Sequence, residues 1–83
     1  MMNNSNPFDV YGATLIAELT HHDTDLINKL YKKKSGKYFV CNTYRGENHC
    51  HSISNIDAVI WQRQCIKINK NEGSVEYKEY ITI

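Results

Sequence analysis

Residues 54–83 read SNIDAVIWQRQCIKINKNEGSVEYKEYITI, and the division of this stretch decides the fold. Two readings compete for its first part. In one, Val59, Ile60, Trp61, Ile66 and Ile68 give 58–68 the β-branched and aromatic content of a strand. Gly73 then marks a turn over 69–74, and 75–83 returns as the last strand. A hairpin centred on Asn71 and Glu72 pairs Ile68 with Val75, Ile66 with Tyr77, Gln62 with Ile81 and Ile60 with Ile83. One face is mostly apolar, with Gln64 opposite Glu79 as the exception. On the other, Lys67 meets Glu76. In the second reading Ser54 caps a helix over 55–64, with Asp57 at its third position. The strand reading accounts for both faces of the hairpin and is preferred. It places Ile66 in the core, so Ile66→Asp is expected to unfold the chain.

Upstream, 37–44 reads as a strand, Arg45-Gly46-Glu47 as a turn and 48–53 as the partner strand. Before Gly36 the pattern changes. Phe8, Tyr11, Leu15, Leu19, His22, Leu26 and Leu30 follow at spacings of 3, 4, 4, 3, 4 and 4, a helical period. Asn6 suits a cap, Pro7 the first helical position, and Asp9 the positive end of the dipole. Residues 20–24 are poor helix formers, and Asp23 can cap a second helix. The expectation is two helices over 7–19 and 24–34, stopped by Gly36, with Lys32, Lys33 and Lys34 at the negative end. A competing strand over 10–19 rests on the alternation of Tyr11, Ala13, Leu15, Ala17 and Leu19. The expected architecture is α+β: two N-terminal helices packed on a four-stranded antiparallel β meander. Residues 1–6 read as a disordered tail, and 7–83 as a single small α+β domain.

Length and composition agree with one domain. The 83 residues are 41% hydrophobic and 23% charged, and a chain of this size buries about 60% of its unfolded surface, enough for one small core. No run of 18 apolar residues occurs, and the polar start lacks the features of a signal peptide. A cytoplasmic protein without a membrane partner is expected. The net charge of +1 hides an uneven distribution. Residues 1–25 carry Asp9, Glu18, Asp23 and Asp25 with no base, whereas 26–45 carry Lys29, Lys32, Lys33, Lys34, Lys37 and Arg45 with no acid. Such asymmetry steers encounters with a charged partner.

Cys41, Cys50 and Cys65 are an odd set with no CxxC pair, which argues for a reducing compartment and no bridge. The most suggestive cluster is Cys41, His49, Cys50 and His51. If Tyr44 pairs with Asn48 across a three-residue loop, Cys41 faces His51 and Thr43 faces His49 on one side of the sheet. Zinc accepts such donors, and Cys41, His49 and His51 are the candidate ligands. A two-residue loop instead separates Cys41 from both histidines and brings Cys50 to its side. The spacing matches no standard zinc module, so no metal or other cofactor is expected. GxSxG, HExxH, Walker and GxGxxG motifs are absent, and no catalytic residue is assigned.

Six tyrosines and one tryptophan exceed what so small a core encloses, so several are expected to anchor an interface. The reading is a non-enzymatic protein that docks on a larger protein or ribonucleoprotein complex, as an inhibitor or accessory factor. Its expected contact residues are Lys32, Lys33, Lys34, Lys37, Tyr38, Tyr44, Arg45, Trp61 and Tyr80. Abundant Asn, Lys and Ile are compatible with a phage or mobile-element gene. An exposed edge strand ending at Ile83 favours a homodimer or strand addition. The alternative is nucleic-acid binding through the basic segment 29–45, with Tyr38, Phe39 or Tyr44 as stacking platforms. Eight Lys against two Arg is a weak inventory for that role.

Overall fold

A computed structural model describes residues 12–81. The tail expected over 1–6 and the start of the first expected helix lie outside these residues. Five strands, β1 Thr14–His21, β2 Leu26–Lys32, β3 Tyr38–Tyr44, β4 Glu47–Ile53 and β5 Val75–Glu79, form one antiparallel sheet in the order β4-β3-β2-β1-β5. Among the described residues a single helix, α1 Asn55–Asn71, connects the two edge strands across one face. The chain is therefore α+β, but the expected N-terminal helices are replaced by strands, and the sheet has five strands where four were expected.

The β3–β4 hairpin follows from local chemistry. Tyr38–Tyr44 is rich in β-formers, and Arg45 and Gly46 both adopt positive φ, 51° and 83°, as a two-residue turn of the type that matches strand twist requires. Tyr44 thus pairs with Glu47, and the register continues to Tyr38 opposite Ile53. Gly36 has φ 93° and serves the β2–β3 turn, where its N–H donates to the Lys33 carbonyl. It had been expected to stop a helix. A left-handed glycine marks both kinds of chain reversal, so its presence does not choose between them.

The helical spacing upstream is imitated by a bulge. Between Leu15, opposite Tyr31, and Ala17, opposite Leu30, the register slips by one residue. Ile16 is the extra residue, and Ile16 and Ala17 are both buried. The slip sends Leu15 to the outer face and brings Ala17 and Leu19 to the inner one, which breaks strict alternation. The Ile16 carbonyl also accepts the N–H groups of Tyr80 and Ile81, at 2.8 and 3.2 Å, and so ties the end of β5 to the bulge.

Helix α1 settles the competition over 54–68 against the strand reading. Ser54 Oγ accepts the Asp57 N–H at 3.1 Å, Asp57 lies in the first turn and Lys70 in the last, and both charges suit the dipole. Ala58, Gln62 and Cys65 are the buried residues, at the 4 and 3 spacing of one helical stripe. The helix runs seven residues beyond the expected 55–64 because Cys65 and Ile68 still pack on Leu19 and Val75. Trp61 joins this cluster to a second one of Ile16, Ala17, Leu30, Tyr38, Val40 and Ala58. Val75–Glu79 pairs with β1, not with 60–68. Ile66 is 38% exposed, so the expectation for Ile66→Asp reverses. The variant should stay folded and lose no more than about 1 kcal/mol, as surface helix substitutions do. A lost cooperative thermal transition would restore Ile66 to the core.

Candidate docking surface

The helix covers only part of its side of the sheet. Its first turns lie on Leu30, Tyr38 and Val40, and its later turns on Leu19 and Val75. Register places Asn28, Asn42 and His49 on the same face as Leu19. They form a polar row beside the packed residues. His21 Nε2 lies 2.7 Å from Asn28 Oδ1, and Asn28 Nδ2 donates to Asn42 Oδ1 at 2.6 Å. Each amide satisfies its neighbour, which fixes the side chains as a preformed polar floor.

Between this row and α1 runs an open cleft of about 380 Å³. Val40, Asn42, His51 and Ile53 supply the sheet side, and Asp57, Ile60, Trp61 and Gln64 the helix side. Its walls are mainly apolar, with amide, imidazole and carboxylate groups spaced along them. Next to it, Ile56 and Ile60, one helical turn apart, are 73% and 45% exposed. They lie outside the buried stripe. Trp61 is half-buried between the two core clusters and reaches the cleft. Large apolar side chains beside a partly buried indole have the composition of an interface anchor.

Of the contact residues expected from sequence, Trp61 alone lines this cleft, and of the candidate metal ligands only His51 does. Lys32, Lys33, Lys34 and Lys37 cluster at the β2–β3 end of the sheet, whereas Tyr44 and Arg45 sit at the β3–β4 turn. The two groups are separated by the length of β3, about 20 Å at the usual rise. The basic segment 29–45 is therefore not one continuous patch. Its cations also sit over rings: Lys32 5.5 Å from the centroid of Tyr38, Lys33 5.3 Å from Phe39, and Arg45 5.3 Å from Tyr44. Tyr38 is buried, and Tyr44 is exposed. Tyr80 is exposed near the end of β5, where its hydroxyl donates to Glu18 Oε2 at 2.6 Å. That bond raises the phenol's pKa.

The sulfur and imidazole groups do not meet. With the two-residue loop, Cys41 pairs with Cys50, and the two form a disulfide, contrary to the expectation that no thiol pair bridges. The Cα atoms of this directly opposed pair are 4.0 Å apart, so once the register is set the thiols face each other. Both lie on the face opposite α1, while His49 and His51 share the face of Asn42 and Val40. His49 reaches Glu47, at 3.5 Å. Among the described residues no group of three or more His, Cys, Asp or Glu side chains is placed to hold a metal ion. Cys65 is buried on the sheet-facing stripe of α1, and burial pushes its thiol up to about 12, which keeps it protonated and unreactive at neutral pH.

Sequence reasoning missed Asn42, Asp57, Ile56, Ile60 and Gln64. Once 55–71 is a helix, the signal is present: Ala58, Gln62 and Cys65 define its buried stripe, and Ile56 with Ile60 forms an apolar pair off it. Among the described residues no helix is long and apolar enough to cross a membrane. No protein-family model matches the chain, and no curated protein or solved structure matches it either, so its own geometry carries the functional reading.

Proposed function

We propose that this chain is a small non-enzymatic docking protein that acts by stoichiometric occupation of a larger protein, as an inhibitor or accessory factor does. The cleft between α1 and β3–β4, with Ile56 and Ile60 on its rim, is the contact surface. One observation carries the reading: two isoleucines are held in water beside Trp61, on a helix whose opposite stripe already anchors it to the sheet. Core packing gives them no role. Covering them contributes about 25 cal/mol per Å² of apolar surface removed from water. Asn42, His51 and Gln64 are placed to orient an extended segment of the partner by hydrogen bonds, so specificity accompanies the apolar contribution. The reading as a binder, not a catalyst, is supported by the separation of the bridged sulfurs from His49 and His51 on opposite sheet faces.

The test is capture of the partner from the native host, then reconstitution from purified components with the native chain and with an Ile56→Asp/Ile60→Asp double variant. The double variant is expected to keep its thermal transition and to bind about thirtyfold more weakly, the loss that truncating an interface anchor causes. Unchanged affinity would remove the surface. Binding to nucleic acid that falls steeply with salt would move the assignment to the basic segment instead.

A further inference from the structure

The two edges of the sheet are finished differently. β5 is short, and three of its five residues, Glu76, Lys78 and Glu79, are charged. Its outward Tyr77 N–H is occupied by Asn69 Oδ1 of α1 at 3.1 Å. Charge, brevity and a side chain over a backbone donor are the usual protections of an edge. β4 has far less of this protection. It pairs with β3 over seven consecutive residues without a bulge, contains no Pro or Lys, and has Glu47 as its sole acidic or basic residue apart from two histidines. Among the described residues no strand lies beyond it. The alternation of an antiparallel ladder aims the N–H and C=O groups of Asn48 and Ser52 away from β3, because Tyr44 and Glu47 close the turn as a hydrogen-bonded pair.

We propose that β4 pairs antiparallel with β4 of a second copy of this chain, about a two-fold axis at Cys50, to make one continuous ten-stranded sheet. This register opposes Asn48 to Ser52 of the second copy and Ser52 to its Asn48, so outward groups meet reciprocally, as an isologous interface requires. It sets His49 opposite His51 of the second copy. Charge favours the same arrangement. Glu47 falls beside Ile53 of the second copy, where the chain enters the positive end of α1, and Arg45 falls toward the first turn that holds Asp57. A two-fold axis normal to the sheet keeps both helices on one side, so the clefts of the two copies face each other across the axis. The sequence had suggested an edge at the C-terminal strand for self-association; the protected β5 edge argues for β4 instead. The inference is independent of the docking reading, since a monomer leaves the double-variant binding test unaffected.

Sedimentation equilibrium of the full chain from micromolar to millimolar concentration reads the prediction directly. The native protein is expected to approach twice its 9.7 kDa. Ser52→Pro removes an outward donor without touching a β3 bond and is expected to remain at the monomer mass with an unchanged circular dichroism spectrum. A native chain that stays monomeric throughout, or a folded Ser52→Pro that still dimerises, overturns the proposal. Should Ser52→Pro fail to fold, amide exchange on the native chain decides. The Asn48 and Ser52 amides are expected to slow as concentration rises, and rates that do not depend on concentration overturn the pairing.

Discussion

Leu30→Asp is expected to leave no folded protein. Leu30 has no solvent exposure, and on the central strand β2 it stands in register between Ala17 and Val40, in one cluster with Ala58 of α1. Replacing it forfeits about 2 to 3 kcal/mol of leucine burial. An unpaired carboxylate in the same place costs roughly another 3 to 5 kcal/mol. Lys32, two residues along the same strand, is exposed and holds its ammonium over the Tyr38 ring, at the margin of the cluster rather than inside it. Domains of this length have roughly 4 to 12 kcal/mol of stability in all, and a combined loss of about 5 to 8 kcal/mol is the size of the middle of that range. Leu30→Ala grades the effect: it should remain folded, with urea unfolding reporting a loss of about 2 to 5 kcal/mol. A cooperative transition retained by Leu30→Asp would show that β2 is not the buried middle of the sheet.

The second large effect is expected from opening the Cys41–Cys50 bridge. The cysteines are nine residues apart, and closing a loop of roughly ten residues removes unfolded-state entropy equivalent to about 2.7 kcal/mol. The consequence should concentrate in β4, whose one neighbour in the described sheet is β3. Urea midpoints with and without excess dithiol measure it, and a Cys41→Ala/Cys50→Ala double variant should be indifferent to the reductant. Thiol titration gives an independent count. In denaturant, the protein prepared without reductant should show one thiol, Cys65, and after reduction three. Three thiols before reduction would eliminate the bridge. In the folded protein Cys65 should resist alkylation, because burial holds it protonated.

The parts of this fold that were legible share a property: their signal is local. Strands over 37–44 and 48–53 were expected and lie at Tyr38–Tyr44 and Glu47–Ile53, because the strand content and a reversal at Arg45 and Gly46 act locally. The expected three-residue turn 45–47 is corrected to two residues, with Glu47 paired to Tyr44. Ser54 and Asp57 carry an equally local signal for a helix start, but the β-branched content of 58–68 outweighed it in the reading of the sequence, and the helix was only the alternative. Illegible parts depend on a partner distant in sequence. Leu15, Leu19, Leu26 and Leu30 satisfy a helical period, yet the segments lie in strands because β1 is held between β2 and β5 and its phase is shifted at Ile16. Gln62 was assigned to a sheet face. It is buried on α1, where its amide donates to the Ile81 carbonyl at 3.2 Å and to Glu79 Oε1 at 3.5 Å. The candidate site shows the same division. Trp61 was singled out as a large amphipathic ring, but no local rule places Asn42 and His51 across a cleft from Gln64.

By itself the sequence determined a single small α+β chain of near-neutral charge and a β3–β4 hairpin, and it offered the capped helix start at Ser54 only as the alternative to a strand. These follow from composition, turn chemistry and capping, all of which act over a few residues. Tertiary structure alone decided the strand state of β1 and β2, the pairing of β5 with β1, the disulfide, and the gap between α1 and the polar row. The energies that separate helix from strand in residues 14–32 are tenths of a kcal/mol per residue. Burying Ile16, Leu19 and Leu30 against α1 contributes several times more, so the packed state overrides local preference.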